Sequence, residues 1–284
     1  IMDNRPMDRP VNVDVGRVHY NRWVYYGTTS DDIATAYSQV PVRSTLKLGG
    51  SAWFVGAGGP MGRMHVQRAI EAADRPSTIV CTDISDQRLD ELCVTFKAEA
   101  ISKGIEFICL NPTNKDEYEA GMARFKVSGF DDIVVLAPVP PVIADAATYL
   151  APEGVMNIFA GVARGKYAKM DLSFAYLKQA RVIGHSASTI ENMRFMLDQA
   201  ETGQLSPNRS VAAIGSLEAA WDGLQAVEQT SFPGKIVIYP QIKPLPLTAI
   251  EDLKEVLPTV YAKLRNGMEW TNEAEQELLR VMLP

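Results

Sequence analysis

From Leu46 onward, short apolar runs alternate with longer stretches in which apolar residues recur every three or four positions. The runs at residues 52–55, 78–82, 106–110, 132–137, 155–160 and 181–184 predict six strands. The periodic stretches near 60–73, 86–100, 115–125, 141–150 and 172–179 predict the helices between them. Strands nearly continuous in Val, Ile, Phe and Ala suit a sheet covered on both faces. Strand–helix alternation implies crossover connections and therefore a parallel sheet. The chain is read as α/β, with a doubly wound six-stranded parallel sheet.

Beyond Gly184 the pattern changes. Ser188-Thr-Ile-Glu191 reads as a capping box that opens a helix to about Glu201. A helix at 217–228 and a strand at 235–239 follow. Pro240, Pro244 and Pro246 then mark a linker. Thr248-Ala-Ile-Glu251 and Asn272-Glu-Ala-Glu275 predict the starts of two further helices, giving a helical C-terminal extension. The sequence shows no internal repeat and no low-complexity stretch.

The first strand runs into Gly56-Ala-Gly-Gly-Pro-Met-Gly62 and then an amphipathic segment. Strand, glycine turn and helix in that order form the phosphate-gripping corner of a Rossmann-type dinucleotide fold, where backbone N–H groups meet a pyrophosphate. The candidate contacts are Gly56, Gly58, Gly59, Pro60 and Met61. The spacing carries one residue too many: counted from Gly56 the third glycine position is Met61, and counted from Ala57 it is Gly62. A purely structural strand-to-helix turn is the competing reading.

The second strand ends in Asp83, about 20 residues past Gly62, where an acid can bind the adenosine ribose hydroxyls. That acid would repel a 2′-phosphate and so favours NAD over NADP, with nearby Arg88 softening the preference. Asp83 could instead cap the next helix, a role open also to Ser85 and Asp86. Ala137 and Pro138 close the fourth strand, and Ala160 and Gly161 close the fifth. By position they border the nicotinamide half of the cofactor.

A net charge of −6 gives no basic surplus for nucleic acid. No apolar run reaches membrane-spanning length, and no secretory signal opens the chain. Cys81, Cys93 and Cys109 have neither metal-clip nor disulfide-framework spacing, which predicts buried thiols and a cytoplasmic location.

These elements together resemble the medium-chain dehydrogenases/reductases. The residues are Gly49 to Gly62, Asp132-Ile-Val-Val-Leu-Ala-Pro138, Leu150-Ala-Pro-Glu-Gly154, Val182-Ile-Gly-His-Ser186 and Gly234-Lys-Ile-Val-Ile-Tyr-Pro240. Gly27-Thr-Thr-Ser-Asp-Asp-Ile33 and the glycine turn are most similar to the L-sorbose-1-phosphate reductases within that superfamily. The resemblance implies an NAD-dependent oxidoreductase acting on a sugar or polyol phosphate, working as a homo-oligomer, with the sixth strand near Val182 as the self-association edge. It divides the chain into 1–45, a remnant of a catalytic domain or linker; 46–188, the coenzyme domain; 189–241, a return segment; and 242–284, a helical tail. The family's GroES-like catalytic domain and its zinc ligands are largely missing, so zinc is expected only in that missing domain and no metal ligand is assigned here.

Catalytic residues are left unassigned. The Tyr239/Lys243 pair is interrupted by Pro240 and does not share a helix face. His185 ends the sixth strand and His65 sits on the first helix; each is a candidate acid/base or a histidine satisfied by backbone. Arg164, Lys166 and Lys169 are a candidate phosphate group or a solvated loop. Trp23, Tyr25 and Tyr26 read as packing. An NAD(H)-binding module without turnover, and more remotely a methyltransferase with a similar glycine turn, remain the competing functions.

Overall fold

The computed structural model describes residues 1, 3–37, 43 and 45–284. Part of the expected 1–45 linker, residues 2, 38–42 and 44, lies outside the described residues. The chain forms two compact units, Ile1–Phe195 and Met196–Pro284.

The first unit runs β1 (Val11–Asp14), α1 (Val15–Asn21), α2 (Ala34–Tyr37), β2 (Ser51–Val55), α3 (Pro60–Glu71), β3 (Thr78–Thr82), α4 (Asp86–Ser102), β4 (Glu106–Leu110), α5 (Lys115–Ser128), β5 (Phe130–Val135), α6 (Pro140–Ala147), β6 (Leu150–Ile158), β7 (Tyr167–Met170), α7 (Ser173–Leu177) and β8 (Arg181–Gly184), and includes the start of α8 (Ile190–Glu201). Its main sheet has the order β4-β3-β2-β5-β6-β8, and every neighbouring pair is parallel. The order reverses between β2 and β5, which is where a doubly wound sheet opens its ligand crevice.

Alternation along the strands gives the sheet two cores. Trp53 and Phe54, adjacent in β2, are both buried yet belong to opposite clusters. Trp53 packs with Phe130 and Tyr149 on one face. Phe54 lies with Ile79, Leu92 and Phe96 on the other. Full burial of each such side chain stabilises the fold by about 1.5–3 kcal/mol.

At the N-terminal ends of the strands two neighbouring acids behave oppositely. Asp131 accepts from Lys47 Nζ at 2.6 Å and from Ser51 N at 2.9 Å. Burial works against its charge, but these donors hold its carboxyl below the usual range. Asp132 is more deeply buried, and that burial pushes its carboxyl up despite bonds from the Lys47 amide and Arg43.

Four elements of this unit are not legible in the apolar pattern: β1, α1, α2 and β7. β1 and β7 form their own antiparallel pair. The fourth and fifth expected strands start earlier and stop two residues sooner, at Val135 and Ile158. The capping residue of α8 is Thr189 rather than Ser188; its hydroxyl accepts from Asn192 N while Asn192 Oδ1 accepts from Thr189 N.

The second unit contains β9 (Val211–Ser216), α9 (Ala220–Glu228), β10 (Lys235–Tyr239), β11 (Thr248–Ala249), α10 (Leu253–Val256), α11 (Pro258–Tyr261) and α12 (Asn272–Met282). β9 pairs parallel with β10 and antiparallel with β11. The expected 217–228 helix begins as a short 3₁₀ turn, with α-helix from Ala220.

Two expectations fail in this unit. Thr248 does not cap a helix: it pairs with Ile214 as β11, and its hydroxyl donates to the Pro246 carbonyl. The 240–246 stretch is not a linker, because Ile242 and Leu245 are buried with Tyr239, Trp270 and Leu278. Prolines there shape a packed connection rather than a free one. The final helix is capped by Thr271, one residue before the expected Asn272.

Candidate functional site

The glycine turn joins the C-terminal end of β2 to α3. Gly56 has φ +83, and a side chain there would approach Ala137 N to 3.1 Å. Gly58 cannot carry a side chain either: its Cβ would stand 2.6 Å from Arg88 Cβ and 2.9 Å from Asp83 Oδ2. Gly62 lies directly against the Ala57 carbonyl. The turn is therefore Gly-x-Gly-x-x-x-Gly, with the extra residue before the third glycine. The positions that require glycine are thus Gly56 and Gly58 from the first count and Gly62 from the second.

Asp83 closes the other side of this corner. Its Oδ2 accepts from Gly58 N at 3.0 Å and its Oδ1 from Ser85 N at 3.1 Å. Each carboxylate oxygen can accept a further hydrogen bond. Asp83 is not the helix cap; Ser85 is, accepting from Arg88 N. Gly59, the N-cap residue of α3, faces open space where a Cβ would meet nothing within 4 Å. Pro60 takes the first helical position, which needs no N–H partner.

Across the crevice, Leu136 N bonds Val55 O, which sets Ala137 and Pro138 beside the turn. Ala160 is buried and bonds Val135 O at 2.9 Å, while Gly161 is exposed. A side chain at Gly161 would place Cβ 3.2 Å from the Tyr20 hydroxyl. Tyr20 in turn carries the Arg164 guanidinium over its ring at 5.0 Å. A dinucleotide fits this donor set: small residues at each close approach, a helix N-terminus and an acid at the second strand.

All three histidines of the chain gather at this end of the sheet. His19 Nδ1 meets the Ile158 carbonyl at 3.1 Å, and His65 Nδ1 meets the Met61 carbonyl at 2.7 Å. A carbonyl only accepts, so both rings carry their hydrogen on Nδ1 when neutral and leave Nε2 as the basic nitrogen. Both rings stand edge-on to Phe159, at 6.2 and 4.6 Å between centroids. Burial first, and then the charge of Arg68, pull the His65 pKa down against the Met61 bond. Burial, Arg22 and His19 lower that of His185.

Among the described residues, no three His, Cys, Asp or Glu side chains form a group that could hold a metal ion. Among the described residues, no helix is long and apolar enough to cross a membrane. Cys81 is buried, as expected, but Cys93 and Cys109 are only partly so; their sulfurs lie 2.7 Å apart.

No protein-family model matches the chain. It is 33% identical over 249 residues to the uncharacterized protein YggP of Escherichia coli, covering 84% of this chain and 58% of that one. It is 30% identical to the mannitol-1-phosphate 5-dehydrogenase of Aliivibrio fischeri, covering 82% of this chain and 57% of that one. L-sorbose 1-phosphate reductase of Klebsiella pneumoniae is 26% identical over 84% of this chain and 55% of its own. Among solved structures, 2R,3R-butanediol dehydrogenase of Bacillus subtilis superposes with a TM-score of 0.55 at 20% identity, covering 69% of this chain and 52% of that one. The chain belongs to the medium-chain dehydrogenase/reductase superfamily. It spans somewhat more than half the length of the curated relatives it matches.

In this dehydrogenase-family chain, the structure brings together Gly58, Asp83 and Arg88, and separately Gly56 with Ala137. It does not assemble the basic trio. Arg164 bonds Asn21 Oδ1 and covers Tyr20, whereas Lys169 sits on β7 opposite Asn12. Tyr239 is committed to the core of the second unit, where its hydroxyl donates to Glu275 at 3.1 Å. Sequence reasoning passed over His19 and Tyr20 as site residues, because they lie in a stretch without a strand-length apolar run. The Val182 edge of β8 also differs from expectation. Its outer side is bridged by Tyr25, whose amide donates to Val182 O at 3.1 Å.

Proposed function

We propose that this chain forms the NAD(H)-binding part of an oxidoreductase of sugar or polyol phosphates. The observation that carries the reading is the Gly58–Asp83–Arg88 corner, which joins the ends of β2 and β3 beside the reversal point between β2 and β5. Relatives named for mannitol 1-phosphate and L-sorbose 1-phosphate oxidation or reduction support the substrate class. Residues 46–188 are assigned as the coenzyme domain, 189–241 as the return segment and 242–284 as a tail.

In this reading Gly56, Gly58, Gly59, Pro60 and Met61 hold the pyrophosphate. Asp83 takes the adenosine ribose hydroxyls, with Arg88 alongside. Ala137, Pro138, Ala160 and Gly161 border the nicotinamide, which supplies hydride chemistry when bound. Arg164 and Arg22, both at the Tyr20–His185 rim, supply positive charge for a substrate phosphate. Any catalytic zinc is assigned to ligands outside these residues. A cytoplasmic location accords with free thiols, and self-association would use a face other than the outer side of β8.

The test is a titration with NADH and with NADPH, followed by nicotinamide fluorescence and repeated with Asp83→Ala. NADH should bind at least about tenfold more tightly than NADPH, a difference of about 1.4 kcal/mol, and Asp83→Ala should erase it. Tighter NADPH binding would replace NAD by NADP in the reading. Absence of binding by either would remove the cofactor site.

A further inference from the structure

The chain contains a repeat that its apolar pattern hides. Residues 1–33 correspond to residues 158–190 at a constant offset of 157 (Gly27 against Gly184), without a gap. Ile1, Asp14, Gly27 and Ile33 have identical counterparts in Ile158, Asp171, Gly184 and Ile190. Four identities over such a span carry little alone. The backbone carries the rest.

Both copies run short strand, short helix and then an extended segment, which is β8 in one and carries the isolated Tyr25 bridge in the other. β1 and α1 in one correspond to β7 and α7 in the other. Each helix follows an aspartate whose carboxylate accepts a nearby amide: Asp14 from Arg17 N and Asp171 from Ser173 N. Each connection then turns through a left-handed non-glycine residue, Arg22 at φ 54 and Gln179 at φ 52, which also differ in number by 157. Such residues are uncommon outside glycine, so the coincidence is specific.

The ends match as well. In the main sheet Ile158 lies opposite Gly184 in parallel register. In the other copy Ile1 N donates to Tyr26 O at 3.0 Å, and Thr28 N donates to Ile1 O at 2.9 Å. That is one parallel rung, with Ile1 opposite Gly27.

The copies meet about a pseudo-twofold axis. In the β1–β7 pair, Asn12 lies opposite Lys169, its own counterpart. The flanking pairs Val11–Met170 and Val13–Ala168 exchange under the same operation. Tyr25 bridges Val182, again its own counterpart. The glycines pack reciprocally: Gly27 against Ala175 and Tyr176, and Gly184 against Val18 and His19. A surface patch meeting its own likeness is the signature of an isologous contact, normally made between two copies of a chain.

We propose that residues 1–30 are a structural duplicate of residues 158–187 and occupy, within one chain, the place that a second copy of this sheet edge would take, closing β8 to edge-to-edge self-association. The duplicate also reaches the crevice. It places His19 on the end of β6 and Tyr20 over Gly161, as the second subunit of a dimer lends residues to its partner's site. The inference does not depend on the cofactor assignment.

The self-paired positions give the test. Asn12 and Lys169 are exposed and directly opposed, at a Cα spacing that antiparallel pairs share with disulfides. Three proteins are incubated with oxidised glutathione and run on a non-reducing gel: the unmodified chain, Lys169→Cys, and Asn12→Cys with Lys169→Cys. Circular dichroism checks the fold of each. In the double variant both introduced thiols should be lost to alkylation while the mass stays that of one chain. Lys169→Cys alone should form no more covalent dimer than the unmodified chain. A true dyad between two copies would instead bring Lys169 of one opposite Lys169 of the other. Covalent dimer from Lys169→Cys alone would therefore overturn the proposal. So would a folded double variant that keeps both thiols free.

Discussion

Asp83 Oδ2 accepts the amide hydrogen of Gly58 at 3.0 Å, which fastens the acid after β3 to the turn after β2. The residue assigned to the cofactor therefore also supports the fold. Asp83→Ala leaves a buried donor without its partner and should lower stability by about 1–3 kcal/mol. Asp83→Asn keeps an acceptor oxygen and should recover part of that loss while still weakening the NADH preference. Urea unfolding beside the two nicotinamide titrations separates the effects.

The glycines of the turn should respond differently to the same methyl group. Gly62→Ala and Gly58→Ala collide with Ala57 and with Arg88 and Asp83, and each should cost about 1–3 kcal/mol or more. Gly59→Ala meets nothing in the protein. It should leave the melting temperature almost unchanged and still weaken NADH, because the added methyl enters the space assigned to the pyrophosphate. Equal NADH affinity in Gly59→Ala and the unmodified chain would move the phosphate away from this turn.

The Trp53 indole N–H donates to Thr82 Oγ1 at 3.0 Å, a buried bond between adjacent strands. Thr82→Val keeps the side-chain shape and removes the acceptor. It should destabilise by about 1–3 kcal/mol, read as a lower urea midpoint with an unchanged slope.

His65 sets a pH dependence of known sign. Its folded pKa lies below 6.5, through burial first and then Arg68. The unfolded chain therefore binds the proton more readily. The associated stability is fully present above the unfolded value and is lost as pH falls through it toward the folded value. Unfolding free energies across that window should fall toward acid more steeply in the unmodified chain than in His65→Gln. NMR titration of the ring should give a midpoint below 6.5.

The main sheet was legible because its strands are buried on both faces, so burial writes continuous apolar runs at 52–55, 78–82 and 106–110. The glycine turn was legible for a local reason: close backbone approach demands glycine wherever it occurs. β1 was not, because Val11-Asn-Val-Asp14 alternates over only four residues and pairs with an equally short β7. Thr248 misled because the sequence of a capping box also suits a strand end when a partner such as Ile214 is near. His19 and Tyr20 enter the crevice through tertiary packing on Gly184 and above Gly161, which no local pattern records. The repeat stayed hidden because equivalent backbones impose few identical side chains.

Two copies of one chain that meet about an axis must accept every substitution twice. The Gly27–Gly184 arrangement frees this contact from that rule, since each half is encoded separately. Divergence is already visible across it: His19 stands where the other half has Tyr176, and Tyr20 where it has Leu177. One half can be tuned for chemistry while the other is tuned for packing, and a change on either side is inherited alone.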